Sequence, residues 1–167
     1  MCRIYAPNVK IEHWHSQKKH PLEQLDYGNL LCCCMGSEGS PQKSQHCDTR
    51  KRDRDILYNP SNPGHHMKLK IRYDGAGKIR SDSNAFERDI NDVLNLNTRQ
   101  LMRNRIEVIQ EVQRKLGPTP GLRKKTEIEK LLRRWRATDS SGRLAPYCDV
   151  AIDYLLKHPS VRDSKSK

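Results

Sequence analysis

The sequence is short of apolar and aromatic residues. Only 34% of its 167 residues are hydrophobic and 5% are aromatic, with a single phenylalanine. No run approaches the roughly 18 consecutive apolar residues of a membrane-spanning helix, and the start, MCRIYAPNVKIEH, lacks the apolar core of a signal peptide. We therefore expect a cytoplasmic protein with no membrane partner, built as one domain around a small core.

Acidic residues are also scarce relative to basic ones. The chain has 20 Asp and Glu against 32 Lys and Arg, which gives a net charge of +12. The basic residues are spread along most of the chain, so no basic tail accounts for the charge. Such a surface attracts polyanions, of which nucleic acid is the most economical candidate. An anionic membrane or an acidic protein would also be attracted, so charge alone does not decide between them.

Two regions of the chain differ in residue composition and in the pattern of apolar residues. Residues 1–66 are rich in Cys, His, Gly and Pro, and NPSNPGHH (59–66) predicts a loop because it contains two prolines and a glycine. MKLKIRYD alternates apolar and basic residues, and with the turn DGAGK it predicts a small hairpin. These features predict an α+β protein whose second region spans 67–159.

From residue 83 onward the apolar spacing is helical. Four helices are predicted, and a disordered tail follows at 160–167. The first helix has a serine or asparagine cap, the second follows Thr98 and ends at Gly117, and the fourth starts at Pro146. Their sequences are SNAFERDINDVLNL, RQLMRNRIEVIQEVQRKL, KTEIEKLLRRWRAT and PYCDVAIDYLLKH.

The residues that suggest chemistry lie in the first 55 positions. Glu12 and His13 are adjacent, Asn29 follows in YGNLLCCC, and Asp48 and Lys51 belong to HCDTRK. Phosphodiester cleavage needs an attacking hydroxide, stabilisation of charge on the phosphorane and help for the leaving oxygen. A histidine near neutral pH and a cation held by carboxylates meet these needs. Alone, a Glu-His pair is more often an ordinary surface pair.

This order of residues resembles the HNH, or ββα-metal (His-Me finger), nucleases. IEH, NLLCCC, HCDTRK, DGAGKI, LNLNTRQLMRNR and PYCDVAIDYLL are further similar to the bacterial HNH proteins that accompany retrons and Septu-type anti-phage systems. The resemblance covers nearly the whole chain. It implies an N-terminal ββα-metal core in residues 1–66, followed by a small hairpin and a mainly helical C-terminal half.

The resemblance also implies roles for individual residues. Glu12 and Asp48 would bind Mg²⁺ or another divalent cation such as Mn²⁺, and His13 would be the general base. Because neighbouring strand residues point to opposite faces, Glu12 and His13 share a site only if the strand ends or twists there. Asn29 would fix the loop that orients the imidazole. Lys51, one turn beyond Asp48, would approach the scissile phosphate.

A structural Zn²⁺ site is implied as well. Cys34 and Cys47 match two of four cysteine ligands, whereas the family's upstream C-x-x-C pair is missing because the chain begins at MCRI. We expect either a reading frame started late, at an internal methionine, or a truncated gene. Cys2 would replace one of the missing ligands and leave the other still missing, and His46 or Cys32 would complete a poorer site.

Other candidates have weaker patterns. Cys32 and Cys33 are predicted to pack, as is Cys148 in the last helix. His15 fits either a site role or an exposed polar role, whereas His20 is expected to be exposed. Trp14 is predicted to pack, half-buried, rather than stack on a base. His65 and His66 lie in the Pro/Gly-containing stretch with no acidic residues nearby and are expected to be solvent-exposed.

The expected activity is metal-dependent hydrolysis of nucleic acid, DNA before RNA, giving 5′-phosphate ends. The resemblance further implies an anti-phage effector whose cleavage is controlled by an ATPase partner. Two alternatives stay open: a zinc-supported nucleic-acid-binding module without catalysis, and a degenerate nuclease that serves its partner as a scaffold.

Overall fold

The computed structural model describes residues 8–117 and 123–162 and has a mixed α+β architecture, as predicted. Two antiparallel pairs of short strands are joined and followed by helices. In chain order the elements are β1 (Val9–His13), β2 (Leu30–Cys34), α1 (Cys47–Lys51), α2 (Pro63–Leu69), β3 (Ile71–Tyr73), β4 (Ile79–Ser81), α3 (Asn84–Arg88), α4 (Arg99–Leu116), α5 (Lys125–Arg136), α6 (Cys148–Leu156) and α7 (Pro159–Arg162).

The described residues form two compact units. One contains the residues before Tyr73 together with Ile79–Arg99, and the other contains Tyr73–Lys78 and the residues from Gln100 onward. All the site residues proposed from the sequence lie in the first unit. Residues 79–99, which include α3, therefore belong with the N-terminal part of the chain.

The first unit is built on the pairing of β1 with β2. Val9 lies opposite Cys34 and His13 opposite Leu30, and α1 packs against β2. A long loop with two 3₁₀ turns, Pro21–Glu23 and Tyr27–Asn29, joins the strands. Because β1 ends at His13, the condition for Glu12 and His13 to serve the same site is met.

The prediction of a loop over residues 59–66 is wrong, because a helix begins inside it. Asn62 caps α2 by accepting a hydrogen bond from the Gly64 amide at 2.8 Å, and Pro63 occupies the first helical position. An asparagine cap followed by proline is a favoured helix start, since proline's missing N–H costs nothing there. The helix ends where Lys70 adopts a φ of 40°. The predicted strand over 67–74 is consequently only three residues long.

The second unit encloses most of the aliphatic core. Nine buried residues from α4 to α7 pack together, and Cys148 is among them, as predicted: Val112, Leu116, Ile128, Leu132, Trp135, Cys148, Ala151, Leu155 and Val161. Helix α6 begins at Cys148 rather than at Pro146, because Tyr147 has a φ of 57°. Helix α7 occupies the start of the predicted disordered tail, and residues 163–167 lie outside the described residues.

None of the helices in the described parts of the chain combines the length and the apolar character that a bilayer crossing requires.

Candidate active site

A pair of carboxylates lies where β1 meets the start of α1. Lys10 and Glu12 share one face of β1, and Asp48 stands in the first turn of α1. The carboxyl groups of Glu12 and Asp48 are in hydrogen-bonding contact. The Lys10 ammonium lies 3.0 Å from Glu12 Oε1 and 3.2 Å from Asp48 Oδ2. A cation therefore already bridges the two acids that the sequence assigns to metal binding.

The electrostatics of the pair follow from burial and crowding. Burial raises the pKa of Asp48 most, the neighbouring Glu12 raises it further, and although Lys10 opposes them the result is about 6. Burial lowers the pKa of Lys10, but its bonds to Glu12 and Asp48 outweigh that effect and raise the pKa overall. Asp48 thus keeps its proton to a higher pH than an ordinary aspartic acid does.

Replacing Asp48 with Asn is expected to stabilise the metal-free protein at neutral pH. The folded state raises the pKa of Asp48 from 3.8 to about 6, so this group favours folding below pH 3.8 and loses that contribution as the pH rises through 6. At pH 7.5 the gain from Asp48→Asn should be on the order of 1–3 kcal/mol, and at pH 4.5 it should be small. Urea unfolding in EDTA measures both values.

Glu38→Gln is the matched control, because Glu38 is an exposed carboxylate 3.8 Å from the same Lys10 ammonium. Its effect should stay within about 0.5 kcal/mol. A loss of stability in Asp48→Asn at pH 7.5 would contradict the claim that ionised Asp48 destabilises the metal-free protein.

His13 is held at the end of β1 by the loop between the strands. Its Nε2 lies 2.9 Å from the carbonyl oxygen of Gln24 and 3.1 Å from the side-chain amide nitrogen of Gln17. A carbonyl oxygen only accepts, so the Gln24 contact requires a proton on Nε2. A protonated Nε2 cannot accept from the Gln17 amide nitrogen, so the 3.1 Å contact with Gln17 is not a hydrogen bond in this tautomer. The neutral imidazole then carries its lone pair on Nδ1, which is the atom available to take a proton.

Asn29 fixes the loop that bears this carbonyl. It is only 2% exposed. Its Oδ1 accepts from the His15 amide at 2.7 Å, and its Nδ2 donates to the carbonyls of His15 and Glu23 at 3.1 Å each. Because Glu23 precedes Gln24, the amide of Asn29 positions the acceptor that orients His13.

Lys51 is placed differently from the sequence expectation. It is 3% exposed, and its ammonium donates to the carbonyl of His13 at 2.9 Å. The pKa of Lys51 is lowered, because the effect of burial outweighs that of the nearby acids, Asp48 first, which raise it. The ammonium is used inside the protein, where it holds the end of β1, rather than pointing toward a substrate phosphate.

Three potential ligands of a softer metal lie at the start of α1 and the end of β2. The ligand atoms of Cys34, His46 and Cys47 are all within 4.8 Å of one another. The chain approaches closely here: Gly36 has a φ of 55°, and a Cβ added to it would lie 2.2 Å from the His46 carbonyl oxygen. Only glycine allows this turn, which returns Cys34 toward His46.

The other cysteines of the triplet do not join this group. Cys32 is exposed, and burial together with the nearby Asp48 raises the pKa of Cys33 to about 12, so its thiol stays neutral. Cys2 lies outside the described residues. Trp14 is half-buried, as predicted, and its indole donates to the Ile56 carbonyl at 3.1 Å.

Further residues help to form the site although the spacing of the sequence motifs did not single them out. They are Lys10, His46 and the asparagines of LNLN. Asn95 Nδ2 donates to the carbonyls of Lys43 and Gln45 at 3.1 and 2.8 Å, and the Leu94 carbonyl accepts from the Cys47 amide at 2.8 Å. These contacts anchor the loop that delivers Asp48. The alternation K-x-E on a strand was the signal for Lys10.

No protein-family model matches this chain, and no curated protein matches it either. The case for a function therefore depends on the site itself.

The residues around the start of α1 fit a divalent cation in two places. Glu12 and Asp48 supply hard carboxylate oxygens, and the Lys10 ammonium between them shows that this position accepts positive charge. Two thiols and an imidazole, at Cys34, Cys47 and His46, form the donor set that zinc favours.

Proposed function

We propose that this protein is a metal-dependent endonuclease of the HNH type, with residues 9–51 as a ββα-metal core. The observation that carries the proposal is the contact of Glu12 with Asp48 around one ammonium, with the histidine that ends β1 next to Glu12 in the chain. Burial and the neighbouring Glu12 raise the pKa of Asp48 to about 6 even with Lys10 in contact, so an ionised Asp48 costs stability at neutral pH. Sites that tolerate such a cost are commonly functional.

Glu12 and Asp48 would hold Mg²⁺ or Mn²⁺, and Lys10 would have to move aside from them. When bound, the ion would supply a Lewis acid for a non-bridging phosphate oxygen and for the departing 3′ oxygen. Asp48 would lose its proton on binding, so the carboxylate pair would favour the ion more strongly above pH 6.

His13 would take the proton from an attacking water at Nδ1. The Gln24 carbonyl keeps the proton of the neutral ring on Nε2 and stabilises the imidazolium that forms. Asn29 and Lys51 are positioning residues in this scheme, because Asn29 bonds to the backbone of His15 and Glu23 and Lys51 bonds to the carbonyl of His13 itself. Neither side chain needs to touch the substrate.

The substrate class follows from charge and from the resemblance. A net charge of +12 favours a polyanion, and the resemblance favours DNA over RNA and implies an anti-phage effector with an ATPase partner. Low activity is expected from the chain alone, since uncontrolled cleavage would harm the host. A cytoplasmic location accords with these partners.

A second candidate function is favoured by the cysteine group. Cys34, His46 and Cys47 suit a structural Zn²⁺, which would tie β2 to α1 whether or not the chain cleaves anything. A zinc-supported module that binds nucleic acid, or a degenerate nuclease scaffold, would retain this site and dispense with the carboxylate pair.

Cleavage of supercoiled plasmid by excess full-length protein separates these functions. We expect nicking with Mg²⁺ or Mn²⁺, none in EDTA, and at least ~10²-fold slower nicking by Glu12→Gln, because a bound metal supplies several kcal/mol. Glu38→Gln should cleave like the wild type. Binding of DNA without nicking by the wild type would favour the non-catalytic module and overturn the nuclease.

A further inference from the structure

A third group of ligand atoms lies in the loop between β1 and β2. His15 Nδ1 is 2.6 Å from Glu23 Oε2, and His20 Nδ1 is 3.9 Å from Glu23 Oε1. The ligand atoms of the three residues all lie within 4.8 Å of one another. Tetrahedral ligands about 2.0–2.1 Å from zinc stand roughly 3.4 Å apart, so small side-chain movements would complete the geometry.

The loop is folded so that these side chains converge. The Ser16 carbonyl accepts from the amides of Lys19 and His20 at 3.1 and 2.9 Å, which turns the chain back on itself. As a result the rings of His15 and His20 stack with their centroids 4.4 Å apart. His20, which the sequence left as an exposed polar residue, is therefore half-buried, with 34% of its side chain exposed.

Buried Asn29 holds two of the three residues by their backbone. It bonds to the amide and carbonyl of His15 and to the carbonyl of Glu23. The separation of these two side chains is thus fixed before any ligand arrives. Pre-organised ligands lose less conformational entropy on binding.

Asp55 lies near the second ring nitrogen of His20, just beyond hydrogen-bonding distance, where metal-binding histidines usually have a carboxylate. Its Oδ1 lies 3.8 Å from His20 Nε2, the ring nitrogen opposite the one that faces Glu23. Its other oxygen accepts from the Lys19 ammonium at 3.1 Å. A carboxylate beside the second ring nitrogen orients the imidazole and makes it a better ligand. The His15–Glu23 hydrogen bond alone would require neither His20 nor Asp55.

We propose that His15, His20 and Glu23 form a binding site for a late first-row divalent cation, zinc foremost. Two imidazole nitrogens and one carboxylate are a ligand set that zinc uses in sites with a position open to solvent. Magnesium prefers oxygen ligands and would not compete here. The three side chains are 27–40% exposed, so the ion would exchange with solvent. The site does not depend on the proposed nuclease activity.

The proposed metal site is connected to His13 by the peptide bond between Glu23 and Gln24. Glu23 precedes Gln24, whose carbonyl lies 2.9 Å from His13 Nε2. An ion that ties Glu23 to His15 and His20 would stiffen the loop that orients this imidazole.

Equilibrium dialysis of full-length protein against Co²⁺ in excess Mg²⁺ tests the proposal, with bound metal counted by elemental analysis. The wild type should bind a Co²⁺ ion that gives no thiolate-to-cobalt charge-transfer absorption. His20→Gln should lose that ion, Glu23→Gln should do the same, and Asp55→Asn should bind it ~10-fold more weakly. His158→Gln, a half-buried histidine in the other unit, should match the wild type.

Circular dichroism verifies that each variant is folded. If His20→Gln does not fold, the result of Glu23→Gln decides. Unchanged Co²⁺ binding in both folded variants overturns the proposal. So does a loss of Co²⁺ that removes the thiolate absorption, because the ion would then belong to the cysteine group. A wild type whose bound Co²⁺ is all thiolate-ligated overturns it as well.

Discussion

Replacing His13 with Ala should slow metal-dependent cleavage by about 10²–10⁴-fold. The imidazole is the group at the end of β1 that can accept a proton, and the Gln24 carbonyl fixes the tautomer that leaves Nδ1 available. The fold should survive, since Lys51 bonds to the backbone carbonyl of residue 13 and not to its side chain. Single-turnover cleavage rates with excess protein measure the effect.

Two further measurements separate a lost base from a disturbed loop. DNA affinity of His13→Ala should stay within about twofold of the wild type, and added imidazole should restore part of the rate. Gln17→Ala is the matched control, because its side chain lies 3.1 Å from the same ring nitrogen without any proposed proton transfer. Unchanged cleavage by His13→Ala would refute His13 as the base.

Replacing Asn29 with Ala should destabilise the protein by about 2–4 kcal/mol, because it removes the partner of the His15 amide and carbonyl and one of the two hydrogen bonds to the Glu23 carbonyl, which also accepts from the Asp26 amide. Asn29 is 2% exposed and makes all three bonds within the loop. For a chain of this size the melting temperature should fall by roughly 5–15 °C. Thermal unfolding by circular dichroism measures the change.

Cleavage by Asn29→Ala should also fall, even at a temperature where the variant is folded, because the Gln24 carbonyl is no longer held. Asn104→Ala is a suitable control: its amide bonds to the hydroxyl of Tyr147 on a half-buried face, and its loss should cost about 1 kcal/mol or less. A melting temperature for Asn29→Ala equal to that of the wild type would contradict the role assigned to its amide.

The mixed fold and the four C-terminal helices were predictable because their apolar spacing is regular and their ends carry ordinary stop signals. Ser83 caps α3 through its hydroxyl, and Gly117 ends α4 with a φ of 75°. Helix α2 was not predicted because Pro60, Pro63 and Gly64 were interpreted as loop-forming residues. The Asn62-Pro63 pair was a helix-start signal in the same letters.

The resemblance to HNH nucleases predicted that Glu12 and Asp48 share a site. Their separation along the sequence does not by itself predict that they are in contact. The sequence could not reveal that Lys10 bridges the pair, because that depends on the side of β1 against which α1 packs. Nor could it reveal that Lys51 is buried. Lys51 lies between Arg50 and Arg52, so local composition suggests an exposed cation, and only tertiary packing brings its ammonium to the His13 carbonyl.

The histidine loop shows the same limit. His15, His20 and Glu23 are spaced irregularly, and no periodic element relates them. Their convergence depends on the Ser16 turn and on Asn29, two features of backbone hydrogen bonding. Patterns of residue type do not encode such contacts directly.

Mn²⁺ binding tests the central claim, that Glu12 and Asp48 together hold a divalent cation, most directly. The measurement is an EPR titration of the full-length chain carrying His20→Gln, so that the histidine loop contributes no site. We expect one bound Mn²⁺ per chain at pH 7.5, affinity that falls as the pH drops through 6, and at least ~10-fold weaker binding when Asp48→Asn is added. Equal Mn²⁺ affinity with and without Asp48→Asn, or no bound Mn²⁺ at all, would contradict it.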